Sequence, residues 1–140
     1  MNRHLMRNIS SIARCANLYR DKFLEGTGMS GSQLPYVLEI CKSPGIAQDQ
    51  LAQRLHVNRS SVTRQLGTLE ENGFITRQRS PDDQRVIEVS PTEKMHGILP
   101  LVRSIFADWR AVLATDMTEA ELDTLAALLA RVAQNAEDAV

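Results

Sequence analysis

The chain has 140 residues and a net charge of −1, which leaves room for one compact domain or two small lobes sharing a core and does not by itself mark a nucleic-acid partner. No run approaches the roughly 18 consecutive apolar residues of a membrane span, and Arg3 and Arg7 lead into no apolar stretch of the signal-peptide kind. Two cysteines, Cys15 and Cys41, are too few for a disulfide framework, so the expectation is a soluble cytoplasmic protein with no membrane partner.

In chain order, Leu5, Ile9, Ile12, Ala16, Tyr19 and Phe23 alternate spacings of four and three, which predicts one helix with an apolar stripe. Gly26-Thr27-Gly28 should end it. Ser30 or Ser32 can cap a second helix carrying Leu34, Val37, Leu38 and Cys41, stopped by Ser43-Pro44-Gly45. A short helix from about Ala47 to Leu55 follows, with Leu51, Ala52 and Leu55 inward, and His56-Val57 makes a tight connection. Asn58 caps the next helix, which runs to about Glu71 with Val62, Leu66 and Leu69 on its core side and ends at Asn72-Gly73.

The period then changes. Phe74–Arg79 and Arg85–Val89 read as two short strands around the polar turn Ser80-Pro81-Asp82-Asp83-Gln84, a β-hairpin. Thr92 can cap a long helix carrying Ile98, Leu99, Leu101, Val102, Ile105, Phe106, Trp109 and Leu113, which Pro100 should kink or start late. Thr118 and Glu121 make a capping-box pair for a last helix with Leu122, Leu125, Leu128, Leu129 and Val132.

Helix, short turn, helix and charged hairpin is the order of a winged helix-turn-helix. The charge distribution agrees. Between Arg54 and Arg85 every basic residue is arginine, whereas beyond Arg110 acids face Arg131 alone, as suits a protein that touches DNA with one lobe. On the Asn58–Glu71 helix, Ser60, Arg64 and Gly67 lie opposite the core stripe, with Ser61 and Thr68 on one flank and Thr63 on the other. Arginine can pair bidentately with guanine, and small hydroxyls reach bases or phosphates without bulk. Asn58 and Arg59 stand at the helix N-terminus, which favours phosphate. A merely solvated face would more often show Glu/Lys pairs. On the hairpin, Arg85 at the tip and Arg77 and Arg79 on the incoming strand could meet a narrow minor groove, or could serve only to suppress edge pairing.

Residues 44–94 resemble the MarR family of bacterial regulators. The resemblance runs through Pro44-Gly45-Ile46, Gln48-Asp49-Gln50-Leu51-Ala52, Val57-Asn58-Arg59-Ser60-Ser61-Val62-Thr63-Arg64, Leu69-Glu70-Glu71-Asn72-Gly73-Phe74-Ile75 and Arg77. Its strongest part is Asp83-Gln84-Arg85 followed by Val89-Ser90-Pro91-Thr92-Glu93-Lys94, and the flanking helices match in order and length. The resemblance implies a homodimer with its interface in the N- and C-terminal helices, a recognition helix in the major groove, Arg85 in the minor groove and Asp83 bracing the wing. It also implies release from double-stranded DNA by a small aromatic or lipophilic effector bound between the lobes. Three positions depart from the family pattern: Ala47 stands where Ser or Thr is usual, and Pro91 and Met95 replace the usual Leu and Gly.

The expected fold is therefore mostly α with a small β-hairpin wing. Residues 1–29 and 92–140 would form a helical dimerisation region and 30–91 the DNA-binding region. The expected function is a sequence-specific repressor on a pseudo-palindromic operator. Its DNA-contacting residues would be Asn58, Arg59, Ser60, Ser61, Thr63, Arg64 and Thr68 on the helix, with Arg77, Arg79, Asp83 and Arg85 on the wing. Two other readings stand beside it. One is a winged-helix protein-interaction module without DNA binding. The other is a thiol redox regulator built on Cys15, whose run Cys15-Ala16-Asn17-Leu18-Tyr19 is similar to that of peroxide-sensing members of the family. Buried cysteine is more often a small hydrophobe, and Cys41 reads as core. His4, His56 and His96 are scattered without ligand spacing, and no catalytic constellation appears, so no cofactor, metal or enzymatic activity is expected.

Overall fold

In the computed structural model, which describes residues 3–140, the elements follow the order α1 (His4–Leu24), a 3-10 turn (Gly31–Gln33), α2 (Leu34–Lys42), β1 (Ile46–Ala47), α3 (Gln48–Leu55), α4 (Arg59–Glu71), β2 (Ile75–Arg79), β3 (Ile87–Pro91), α5 (Glu93–Leu113) and α6 (Glu119–Glu137). The three strands form one antiparallel sheet in the order β1-β3-β2. The fold is a mostly helical winged helix-turn-helix, as expected. Two compact units can be distinguished, one ending at Ile105 and one running from Phe106 to Val140.

The first unit is built on the stripes read from the sequence. Val62, Leu66 and Leu69 of α4 are fully buried with Leu51 of α3, Leu34, Val37 and Ile40 of α2, and Phe74, Val89 and Met95 from the segments around the sheet. Asn58 caps α4 as its residue type predicts, its Oδ1 accepting from the Ser61 N–H at 2.8 Å. His56 ends α3 in the left-handed region (φ 52°), which makes the turn between the two helices tight.

Three expectations are corrected. Ala47 does not open a helix. It pairs with Glu88 as Ile46 pairs with Val89, a strand too short for period-2 patterning to reveal. In α2 the buried residues include Tyr36 and Ile40, while Leu38 and Cys41 are only half-buried, since the face of α2 that is covered is the one packed on α3 and β3. The hairpin strands are shifted. Phe74 precedes β2, Arg85 and Val86 belong to the turn, and Pro91 is the last residue of β3, opposite Ile75. Pro91 is tolerated in this central strand because the two-residue β1 leaves it no neighbour on that side. Of the two outcomes expected at Pro100, the late start is not seen: α5 runs through that residue without interruption. It begins at Glu93, with Thr92 Oγ1 accepting from the Met95 N–H at 3.3 Å, and Pro100 is exposed, where water can take the carbonyl that loses its partner.

The first helix forms as expected, over His4–Leu24, and one chain leaves most of its apolar stripe uncovered. Of its stripe only Ala16 is buried, and Leu24, off the stripe, is the other buried residue of α1. Leu5, Met6, Ile12, Leu18 and Phe23 are exposed.

The second unit contains the end of α5 and all of α6. The capping box forms as predicted: Thr118 Oγ1 accepts from the Glu121 N–H at 3.2 Å, and the Thr118 N–H donates to Glu121 Oε2 at 2.9 Å. No residue of α6 is buried, and Leu125, Leu128, Leu129 and Val132 are exposed along it.

Candidate nucleic-acid interface

With its core stripe facing inward, α4 carries Asn58, Arg59, Ser60, Thr63, Arg64 and Thr68 exposed, and Ser61 half-buried. Hydrogen bonds hold several of these side chains. Thr63 Oγ1 donates to the Arg59 carbonyl at 2.9 Å and accepts from Gln48 Nε2 at 3.0 Å, which ties α4 to the first turn of α3. Arg59 lies 3.5 Å from Asp49 of that same turn, both side chains well exposed. Thr68 Oγ1 bonds back to the Arg64 carbonyl at 3.3 Å. Arg64 Nη2 reaches Ser61 Oγ at 3.4 Å, a weak contact that leaves the guanidinium free to turn outward. Burial pushes the Tyr36 phenol above its usual pKa, and the positive charge of Arg64 partly opposes this.

The wing is braced from within. Asp83 Oδ1 accepts from the Arg85 backbone N–H at 3.0 Å and from Arg85 Nε at 3.1 Å, while Oδ2 accepts from Nη2 at 3.1 Å. These bonds hold the Asp83 carboxyl below the usual aspartate range. The Arg85 side chain remains 91% exposed at the tip. Arg79 Nη1 donates to the Gln84 carbonyl at 2.6 Å and helps close the turn.

Arg77 is held differently. Its backbone N–H donates to Glu70 Oε2 at 3.0 Å and its Nη2 to Glu70 Oε1 at 3.1 Å, so one carboxylate fastens β2 to α4. Sequence reasoning placed Arg77 among the groove-facing arginines and gave Glu70 no role; no local pattern links residues on different elements. Gln48 and Asp49, which hold Thr63 and Arg59, were missed for the same reason. The start of α3 and the wing also share a small cleft lined by Ala47, Gln48, Asp49, Arg85, Val86 and Ile87, and α3 has no side-chain cap, as Ala47 requires.

Cys15 is exposed on α1. Cys41 is half-buried, and burial raises its thiol pKa, opposed in part by Arg103. Among the described residues no group of three or more His, Cys, Asp or Glu could hold a metal, and no helix is long and apolar enough to cross a membrane.

Comparison with known proteins agrees with this geometry. The MarR family model matches residues 29–87. The HTH-type transcriptional regulator YybA of Bacillus subtilis is 33% identical over 135 residues, covering 95% of this chain and 89% of the relative. The crystal structure of MarR superposes with a TM-score of 0.84 at 31% identity, covering 94% of this chain and 96% of that one. A MarR family transcriptional regulator from Listeria monocytogenes, solved in complex with a 26mer DNA, superposes with a TM-score of 0.90 at 28% identity, covering 99% of this chain and 91% of that one.

Proposed function

The chain belongs to the MarR family of transcriptional regulators, and we propose that it acts in the cytoplasm as a homodimeric repressor on a pseudo-palindromic operator, not as an enzyme. The observation that carries this reading is the pairing, within one unit, of an exposed hydroxyl-and-guanidinium face on α4 with an exposed arginine at the braced wing tip. Helix α4 enters the major groove, where Ser60 and Arg64 meet base edges and Asn58, Arg59, Ser61, Thr63 and Thr68 meet bases or phosphates. Arg85 enters the minor groove, Asp83 orients it, and Arg79 follows the backbone nearby. Arg77 acts through Glu70, keeping the wing at a set angle to α4. The relative solved with DNA supports the assignment by analogy.

The homodimer is supported by the apolar side chains left exposed on α1 and α6, which a single chain does not cover. Residues 1–29 and 92–140 supply the interface and residues 30–91 the DNA-binding region. The family pattern supports release by a small aromatic or lipophilic effector. Exposure of Cys15 meets one requirement of a redox sensor, access, and peroxide treatment of wild type and Cys15→Ser tests whether oxidation releases DNA.

A gel shift with the DNA flanking the chain's own gene tests the main reading. Wild type should retard the fragment, and the Arg64→Ala/Arg85→Ala double variant should not. Equal retardation by both proteins overturns the assignment. Absence of binding by wild type favours the protein-interaction module instead.

A further inference from the structure

The C-terminus of α4 is clamped from two sides. Asn72 Nδ2 donates to the Gly28 carbonyl at 2.9 Å, in the loop that leaves α1. The Asn72 carbonyl accepts from Lys94 Nζ, on the first turn of α5. The same ammonium lies 4.5 Å from the centre of the Phe74 ring. Next to it, Thr92 Oγ1 donates to the Gly73 carbonyl at 2.7 Å. Both glycines pack in ordinary van der Waals contact with the clamp residues. A Cβ on Gly28 would lie 3.8 Å from the Asn72 side chain, and one on Gly73 would lie 3.7 Å from Lys94 Cδ; both glycines have positive φ.

Asn72 thus uses its side chain to hold the segment from α1 and its backbone carbonyl to hold α5, while its N–H remains in α4, bonded to the Thr68 carbonyl. A rotation of α4 about its axis, or a tilt of its far end, lengthens one of these bonds. We propose that Asn72 and Lys94 are positioning residues that set the orientation of the recognition helix relative to α1 and α5, and thereby set the operator half-site spacing the dimer accepts. The inference rests on the dimeric DNA-binding reading above. In a two-fold dimer the distance and phase between two recognition helices depend on how each is fixed to the elements nearest the interface. A loosened junction lets α4 adapt to half-sites that are out of phase, so spacing selectivity falls while recognition of the bases remains.

The probe is the palindrome that the wild-type protein itself selects from a randomised duplex pool, with one or two base pairs inserted or removed at its centre. Wild type should bind the selected spacing well above the altered ones. Asn72→Ala and Lys94→Met should each shrink that ratio by about two- to tenfold, the scale of one hydrogen bond removed, while preference for the half-site bases is kept. Lys94→Arg, which retains a donor, should restore the ratio. Lys94 is exposed, so its variants remain informative if Asn72→Ala fails to fold. If both variants lose affinity equally for every spacing and the ratio stays at the wild-type value, the junction is merely structural and the inference is overturned. If wild type selects no palindrome, the dimeric reading fails first and the inference fails with it.

Discussion

In the proposed complex Arg64 stands one turn after Ser60 on α4, close enough to a major groove for a bidentate base contact, which gives about 1–3 kcal/mol of discrimination. Arg64→Ala should therefore weaken binding and relax preference at one position in each half-site. Arg85→Ala should weaken binding more evenly across sequences and lower the salt slope by about one per subunit for each phosphate charge that the arginine had neutralised. Arg131→Ala, on α6, is the control and should leave affinity unchanged. Binding to a library of single-base operator variants at two salt concentrations separates these outcomes. The pairing of Asp83 with Arg85 adds a pH dependence. Because the folded carboxyl titrates below its unfolded value, the brace is fully present above the ordinary aspartate range and is lost as pH falls through the depressed folded value. At neutral pH Asp83→Asn should speed hydrogen exchange at the Arg85 amide; an unchanged rate would mean that the carboxylate does not order the tip. Cys41, its thiol pushed up by burial, should alkylate slowly at neutral pH in a Cys15→Ser background and faster as pH rises.

At the scale of elements, local signals carried much of the fold. Val62, Leu66 and Leu69 at helical spacing, Asn58 before them and the Thr118/Glu121 box were legible because each acts within one turn of its own helix. The two-residue β1, the burial of Tyr36 and Ile40, and the clamps made by Gln48, Glu70 and Asn72 were not legible, because each depends on a partner in a different element. In the site, the side chains on α4 and the wing tip could be read from residue type, whereas the ion pair that engages Arg77 could not. Caps can be tested directly. Asn58→Ala removes an acceptor at the head of α4 and should cost about 1 kcal/mol, while Ala47→Ser adds one at the head of α3 and should recover a similar amount. Leu66→Ala, at a fully buried position, should cost about 2–5 kcal/mol. Denaturant unfolding measures all three; a neutral Ala47→Ser would mean that the β1 backbone cannot present a hydroxyl to α3.

For the whole molecule the proposal ties together two features that are separate in the sequence: apolar helices at both ends and an arginine-bearing middle. In the proposed dimer a second copy, related by two-fold symmetry, covers the exposed leucines of α6 and the exposed residues of α1. That symmetry turns one recognition helix into two, about one helical turn of DNA apart, roughly 10 base pairs centre to centre. Truncation after Asp116, which removes α6, should leave a chain that binds DNA weakly and without palindromic preference. The most direct test of the account is sedimentation of the 140-residue chain, alone and on its selected duplex, combined with footprinting of that duplex. The account predicts a dimer at micromolar concentration, two chains per duplex and two symmetric protected half-sites. A monomer in solution with both terminal helices intact, or one chain protecting a single asymmetric half-site, would contradict it.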